Sequence, residues 1–361
     1  MPDVEQLLAE LSNAAGPSGF EGPVRAVVRR ELEPLADALE TDGLGSLMAR
    51  LGPEERRPRV MLTAHMDELG LMVRRITPEG YVKFQTLGGW LDQALINQRW
   101  IIQTHLGPVP GITGIKTVHV MEPEARQKLF TRGDMFIDIG ARDKDDAEQR
   151  LGVRPGDPVS PDSTFARLAG GDLYLGKAWD DRVGLGVMIE VMRALHEQPP
   201  AAATTFAVAT VQEEVGLRGA ETSAYAIGPD IGINLESGVA GDYPGITPDE
   251  AQEHLGGGPS LFLHDSSMLP NLRLRDFVVE VAGSLGIPVQ FNVLTGYGQD
   301  GAAMQRSRGG APAINIAVPT RYLHSHNGLI ARSDVDAAIR LVTEVVRRLD
   351  GDTVAALRRF D

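Results

Sequence analysis

Two kinds of hydrophobic pattern alternate along the chain. Apolar residues at helical spacing predict amphipathic helices at residues 4–11, 23–35, 182–195, 272–285 and 333–349. Short, continuous apolar runs between them predict buried strands at residues 60–64, 204–211, 230–235 and 313–318. Strands that alternate with helices in this way indicate an α/β sheet.

A third pattern fills residues 68–164, where short alternating segments are interrupted by Gly and Pro. This stretch predicts a small β-rich domain inserted between the two halves of the sheet. A chain of 361 residues also exceeds the size at which a single core usually keeps growing. We therefore predict a discontinuous main domain, residues 1–67 and 165–361, and an inserted domain, residues 68–164.

Composition narrows the classes of function. The formal net charge of -14 argues against binding to nucleic acid or to anionic membrane surfaces, because phosphates are bound by clustered Lys and Arg. No apolar run reaches the roughly 18 residues that a membrane span needs, and the first ten residues are acidic. We therefore expect a cytoplasmic protein. Because the chain has no cysteine, a transition-metal site must use His, Asp and Glu.

Chemically useful side chains follow the predicted strands, and ligands bind beyond the carboxyl ends of strands in open α/β sheets. His65 and Asp67 come directly after the strand at 60–64 and point to one face, where the carboxylate can orient the ring of a metal-binding histidine. Taken alone, a surface His–Asp pair is the commoner explanation. Glu213 and Glu214 follow the strand at 204–211, where one can bind metal and the other can take a proton from water.

Three further side chains occupy similar places. Glu236 follows the strand at 230–235, His324 follows the strand at 313–318, and Asp180 opens the helix near 182. Each has an ordinary structural alternative, such as a helix cap for Asp180. Their conjunction favours function, because all the alternatives would have to hold at the strand ends of one sheet.

Charge balance gives a second indication of a metal site. Two divalent ions bring four positive charges, and Asp180, Glu214 and Glu236 bring three negative ones, which leaves room for one hydroxide. A hydroxide held between two ions about 3.5 to 4 Å apart is the nucleophile of a two-metal hydrolase. His and carboxylate ligands suit Zn²⁺, Co²⁺ and Mn²⁺ alike.

Five segments together resemble the M42 family of metallo-aminopeptidases, of the glutamyl and tetrahedral aminopeptidase type, in the clan of dinuclear zinc exopeptidases. They are residues 64–70 (AHMDELG), 177–184 (KAWDDRVG), 212–216 (QEEVG), 241–245 (GDYPG) and 319–325 (PTRYLHS). They occur in the family's order, and the likeness covers essentially the whole chain. The resemblance implies a mixed-sheet α/β/α catalytic domain with an inserted small β-barrel-like domain.

The resemblance also implies a role for each candidate residue and two divalent ions per subunit, with Zn²⁺ favoured over Co²⁺ or Mn²⁺. One ion would be bound by His65 and Glu236, the other by Glu214 and His324, and both by Asp180. Glu213 would be the general base, and Asp67 would orient His65. The expected reaction is removal of N-terminal residues from peptide substrates.

Two positions depart from the family's common pattern. Glu236 stands where many members carry Asp, and His326 follows His324 where many members carry Pro, so His326 is a rival ligand. The resemblance further implies that the inserted domain mediates dimer contacts, and that dimers of this homo-oligomer assemble into a hollow dodecamer.

Two other enzyme classes remain open. A deacylase or carboxypeptidase of the related dinuclear clan would use the same ligands on a different amide, and would prefer an N-acyl amino acid to an aminoacyl anilide. An endoglucanase would use two carboxylates without any metal, so its activity would resist chelation.

Overall fold

The computed structural model describes residues 3–168, 170–200 and 202–359. In that part of the chain the α-helices are α1 Val4–Asn13, α2 Gly22–Leu32, α3 Trp179–Glu197, α4 Arg218–Ile227, α5 Leu272–Leu285, α6 Gly301–Arg306, α7 Arg332–Arg348 and α8 Gly351–Leu357. The first nine strands are β1 Ala38–Thr41, β2 Leu47–Leu51, β3 Arg59–His65, β4 Gly70–Ile76, β5 Val82–Leu87, β6 Arg99–Thr104, β7 Gly107–Gly114, β8 Phe136–Asp138 and β9 Pro158–Pro161. The remaining strands are β10 Ala166–Arg167, β11 Leu173–Gly176, β12 Thr204–Thr210, β13 Ile231–Val239, β14 Ser260–His264, β15 Gln290–Val293, β16 Ala313–Arg321 and β17 Gly328–Ala331.

A large mixed sheet forms the centre of the molecule. Among the described residues it has eleven strands, with the main order β1-β2-β12-β3-β13-β16-β17-β11-β10, and β14 joins it through β16 and carries β15. The four central strands, β12, β3, β13 and β16, run parallel. Their neighbours β2 and β17 run antiparallel to them. The carboxyl ends of the four central strands therefore meet at one edge of the sheet.

The register of the central strands aligns the candidate residues at this edge. β3 pairs with β12 as far as His65, which lies opposite Thr210. β3 also pairs with β13 as far as Thr63, opposite Asn234. Continuing that register by two residues places Glu236 beside His65.

Side chains that alternate along the central strands build two helical layers. Val60 and Leu62 of β3 belong to the main core, which also contains apolar residues of α1, α3, α5 and α7. Met61, between them, packs in a separate cluster with Ile227 of α4 and Met304 of α6. Because successive residues of a strand point to opposite faces, one strand supports both layers.

A second, independent unit lies between β3 and α3. Six strands, in the order β4-β5-β8-β7-β6-β9, close into a barrel with its own core, which includes Trp100 and Ile137. The predicted fold class, a mixed α/β sheet with an inserted β-barrel-like module, is confirmed. No helix among the described residues has the length and apolar character that crossing a membrane requires.

Some helix and strand bounds differ from those predicted from the sequence. α2 ends at Leu32, although the apolar pattern continues to Leu35. The sequence also did not predict the β1–β2 hairpin or α4. β1 has no fully buried position, and α4 is rich in small and polar residues, so neither shows a long hydrophobic period.

Candidate active site

All seven candidate residues lie at or near the carboxyl edge of the sheet. His65 is the last residue of β3, Glu236 lies within β13, and Asp180 lies in the first turn of α3. Asp67 follows β3, Glu213 and Glu214 follow β12, and His324 lies in the loop between β16 and β17.

Asp180 lies between the two histidines and offers one oxygen to each. Its Oδ1 atom is 2.9 Å from Nε2 of His65, and its Oδ2 atom is 3.3 Å from Nε2 of His324. Asp180 and Asp181 depart from helical φ/ψ values inside the first turn of α3. The Asp181 carboxylate accepts hydrogen bonds from the backbone N–H groups of His65 and Gly184, each at 3.0 Å.

The two imidazole rings are held in the same way. The Nδ1 atom of His65 lies 2.9 Å from the backbone carbonyl of Asp67, and the Nδ1 atom of His324 lies 2.7 Å from that of Gly89. A carbonyl oxygen only accepts, so Nδ1 carries the hydrogen in both rings. The Nε2 atom of each ring is then the one available to bind a metal ion.

The Asp67 carboxylate connects β3 to the loop after β12. It accepts hydrogen bonds from the backbone N–H groups of Glu213 at 2.9 Å and of Glu214 at 3.2 Å, and from the Ser18 hydroxyl at 2.6 Å. Its distance to Nδ1 of His65 is 3.5 Å, longer than the contact of its own backbone carbonyl. Asp67 thus positions the Glu213–Glu214 backbone as directly as it positions His65.

The loops that carry these residues adopt unusual backbone conformations. Ala178, Gln212, Tyr322 and His324 all have φ between 55° and 62°. A positive φ is uncommon in residues other than glycine and costs free energy, so the surrounding structure must impose it. Their clustering beside the candidate residues is typical of a functional site.

The carboxylates at the site are buried, and burial disfavours their charged form. Burial raises the pKa of Glu214 to about 8, and burial raises the pKa values of Glu213 and Glu236 well above the usual range. Neighbouring carboxylates add to this effect. The pKa of Asp180 is instead held well below its usual value, because its hydrogen bonds to His324 and His65 outweigh its burial.

The histidines respond in the opposite direction. Burial lowers the pKa of His324, but its hydrogen bond to Asp180 and the charge of Glu214 raise it to about 9. Burial also opposes protonation of His65, yet the charge of Glu236 and the hydrogen bond to Asp180 hold its pKa well above the usual range. Without another source of positive charge, the site must therefore hold several protons.

This donor set fits divalent cations. The Oε1 atom of Glu214 is buried without a hydrogen-bond partner, as expected of an oxygen that serves as a ligand. Ligand atoms within 4.8 Å of one another form two groups in the described part of the chain: His65, Asp180 and Glu214, and His65, Glu213 and Glu236. His65 is common to both groups, and neither contains His324.

An open cavity of about 340 Å³ lies over these residues. Its lining includes Asp180, Glu213, Glu214, Glu236 and His324, together with Gly89, Gly216, Leu217, Gly296, Tyr297 and Gly298. The segment 296–298 thus supplies part of the wall.

His326, the rival ligand, lies elsewhere. Its ring is 4% exposed, and its Nε2 atom lies 3.1 Å from the backbone carbonyl of Arg99 in the barrel. The ring packs against Trp100 and Trp90, with centroid distances of 4.3 and 5.6 Å. Burial among these groups lowers the pKa of His326 to about 4.

Two contributions to the site are absent from the predicted set. Asp181 binds the backbone of His65, and the barrel supplies the carbonyl of Gly89 to His324. The adjacent Asp180–Asp181 and Gly88–Gly89 pairs were visible in the sequence. A Cβ atom at Gly88 would lie 2.1 Å from Leu69 and 3.1 Å from Oε2 of Glu214, so this glycine allows the barrel to approach the site closely.

Comparisons with known proteins agree with this geometry. The family model described as M42 glutamyl aminopeptidase matches residues 45–341. The chain is 38% identical over 356 residues to the putative aminopeptidase FrvX of Escherichia coli (strain K12), and the match covers 98% of each chain.

Two solved structures share the whole fold. The TET aminopeptidase of the marine sediment archaeon Thaumarchaeota archaeon SCGC AB-539-E09 is 43% identical, with a TM-score of 0.95 and 98% of each chain covered. The Pyrococcus horikoshii TET1 peptidase, described as able to assemble into a tetrahedron or a large octahedral shell, is 30% identical, with a TM-score of 0.86 and coverage of 96% of this chain and 100% of that one. The chain therefore belongs to the M42 family of glutamyl aminopeptidases.

Proposed function

We propose that the protein is a metal-dependent aminopeptidase that removes N-terminal residues from peptides with the help of two divalent ions, Zn²⁺ foremost. The observation that carries this proposal is the position of Asp180. Its two oxygens each face the Nε2 atom of a different histidine, at 2.9 and 3.3 Å. A carboxylate placed in this way between two imidazoles is suited to bridging two ions.

Each ion has its own set of ligands in this proposal. His65 and Glu236 hold one ion, Glu214 and His324 hold the other, and Asp180 is shared. The Glu236 Oε1 atom lies 3.7 Å from Nε2 of His65, and the Glu214 Oε2 atom lies 4.0 Å from Nε2 of His324. When bound, two such ions polarise a peptide carbonyl and lower the pKa of a water molecule.

Glu213 is the proposed general base. Its Oε2 atom lies 3.9 Å from Nε2 of His65, and its side chain lines the open cavity. Asp67 binds its backbone N–H and so directs the carboxylate towards the cavity. Glu213 takes a proton from the attacking water and gives it to the leaving amine.

The barrel is the proposed dimerisation domain. We assign it residues 68–164, and its surface exposes large apolar side chains: Leu91, Ile112, Val118, Val120 and Leu129. Exposed apolar patches often mark interfaces. The TET1 peptidase is described as able to assemble into a tetrahedron or a large octahedral shell, and for this chain the family resemblance implies a dodecamer built from dimers, which sedimentation or light scattering would detect.

Hydrolysis of a panel of aminoacyl anilides and N-acylated controls tests the function. The protein would be assayed as purified, after chelation, and after Zn²⁺, Co²⁺ or Mn²⁺ is restored. We expect cleavage only at free N-termini, lost on chelation and regained with metal. Cleavage of acylated substrates alone would favour a deacylase, and chelator-resistant hydrolysis of a soluble glucan would favour an endoglucanase; either result contradicts the proposal.

A further inference from the structure

Within the loop that carries His324, the Ser325 hydroxyl lies 2.8 Å from the carbonyl of Tyr322 and 2.9 Å from that of Asn327. This loop runs over residues 322–327, between the end of β16 and the start of β17. His324 itself is 38% exposed, in contrast to His65 at 1%. Because both Tyr322 and His324 have positive φ, this conformation requires contacts from outside the loop.

One side of the loop is attached to the main domain. Arg321, at the end of β16, forms an ion pair with Asp242 at 2.5 Å, and the rings of Tyr322 and Tyr243 lie 4.9 Å apart. These contacts hold the entry to the loop. They lie before His324 in the chain; after it, the side-chain carbonyl of Asn327 accepts a hydrogen bond from the Ser163 hydroxyl at 2.6 Å.

The other side is attached to the barrel through His326. Its ring lies against Trp90 and Trp100, which themselves are 5.5 Å apart, so the three rings form one aromatic cluster. The carbonyl of Arg99 accepts a hydrogen bond from Nε2 of His326 at 3.1 Å. The ring of His326 thus joins the loop to two neighbouring barrel segments.

The same barrel segment also touches His324. Gly89, whose carbonyl accepts the Nδ1–H of His324 at 2.7 Å, directly precedes Trp90. The segment 89–90 therefore holds the ring of one loop histidine through its backbone and the ring of the other through its side chain. A shift of His326 relative to Trp90 would change the distance between His324 and its carbonyl partner.

We propose that His326 is a positioning residue, whose ring, packed between the loop and the two tryptophans, holds His324 with its Nε2 atom towards Asp180 and Glu214. This inference rests on the proposed dinuclear site. It makes the barrel a supporting part of one of the two metal positions. It also accounts for a histidine near the site that binds no carboxylate there.

The hydrogen-bonding state of His326 agrees with packing as its main role. The Arg99 carbonyl also accepts the backbone N–H of Asp162 at 3.1 Å, so it keeps a partner if the imidazole is replaced. The Nδ1 atom of His326 is buried without a partner. A phenyl ring at this position would keep the aromatic contacts and lose only one hydrogen bond.

Titration with Co²⁺ tests the proposal. The full-length parent, His326→Ala, His326→Phe and the control His105→Ala would be freed of metal and titrated by calorimetry and absorption. His105 is a suitable control, because its ring also bonds a barrel carbonyl, that of Gly152 at 3.1 Å, and lies outside the site. Loss of an orienting contact typically weakens metal binding by about 10- to 100-fold.

We expect His326→Ala to bind one Co²⁺ with the parent's affinity and a second about 10- to 100-fold more weakly, with an altered absorption spectrum. His326→Phe should restore the second affinity to within about threefold, and His105→Ala should match the parent. Two unchanged affinities in His326→Ala, or equal weakening of both, would overturn the proposal, and so would failure of His326→Phe to restore binding. A parent that binds fewer than two ions would instead overturn the dinuclear function itself.

Discussion

The two histidines of the site are held by different parts of the molecule. His65 ends a central strand and is 1% exposed. Its backbone N–H is bound by the Asp181 carboxylate, and its Nδ1 atom by the backbone carbonyl of Asp67, two residues later. His324 lies in a loop, is 38% exposed, and depends on the barrel for the partner of its Nδ1 atom.

This difference divides the site into a rigid strand half, His65 and Glu236, and an adjustable loop half, Glu214 and His324. The register of parallel strands places His65 and Glu236 together, so their geometry follows from the fold of the main domain. The position of His324 follows from contacts between two domains. In metal proteins such outer contacts determine the orientation and affinity of the ligand, so the two halves should respond differently to substitution.

The largest effect on kcat should come from Glu213, which belongs to neither set of metal ligands. Replacing Glu213 with Gln removes the proton acceptor and should lower kcat by about 10²- to 10⁴-fold. Both ions should still bind with near-parent affinity in a Co²⁺ titration. Glu221→Gln, on the exposed surface of α4, should leave both quantities unchanged; loss of one ion from Glu213→Gln would place Glu213 among the ligands.

Replacing the two histidines should separate the halves most clearly. Without metal, His65→Ala leaves buried carboxylates without their cationic partner and should lower the free energy of unfolding by about 3–5 kcal/mol. His324→Ala removes a partly exposed partner and should cost about 1 kcal/mol or less. Urea unfolding at pH 7 with chelator gives both values, and equal losses would remove the distinction between the halves.

Asp67 should affect the two halves together, because it joins the strand that carries His65 to the loop that carries Glu214. Asp67→Asn keeps the shape but turns one acceptor into a donor that faces backbone N–H groups. We expect the affinity for both ions to fall by about 10- to 100-fold. If equilibrium dialysis showed weakening of one ion alone, Asp67 would serve only one half.

Metal binding by Glu214 and His324 should strengthen as the pH rises. Without metal, burial raises the pKa of Glu214 to about 8, and the neighbouring carboxylates raise the pKa of His324 to about 9, so at pH 7 the pair holds at least one proton that the ion must displace. Affinity should therefore rise with pH between 7 and 9, by up to about tenfold per unit for each proton. Calorimetry in buffers of different ionisation enthalpy counts the protons released, and His324→Ala should release fewer.

The smallest effect concerns the cavity wall away from both histidines. Among the described lining residues there is no Lys or Arg, and the wall contains four glycines, Leu217 and Tyr297. An acidic side chain would find no partner there, so we expect leucyl or methionyl anilides to be cleaved about 10-fold or more faster than glutamyl ones. A preference for glutamyl substrates would show that a cationic group reaches the cavity.

The strand half of the site could be predicted from the sequence. His65 and Glu236 each follow a continuous apolar run that predicts a strand. Because a parallel sheet brings the carboxyl ends of its strands to one edge, these runs also predict that the two side chains lie close together. The limits of α5, Leu272–Leu285, follow from its apolar spacing in the same way. The resemblance to a family added the pairing of ligands, which spacing alone left open.

The loop half could not be predicted to the same depth. The contact of His324 with Gly89 joins residues 235 positions apart and depends on how the barrel packs on the sheet, which no local pattern records. His326 was visible only as a second histidine, and its aromatic partners, Trp90 and Trp100, belong to the other domain. Helix α4 was missed because it is short and has few large apolar side chains.

Anomalous diffraction from crystals loaded with Zn²⁺ or Co²⁺ would locate the bound ions. We predict two peaks, one beside His65, Asp180 and Glu236 and the other beside His324, Asp180 and Glu214. A single peak, or a pair in which Glu213 replaces one of these ligands, would contradict it.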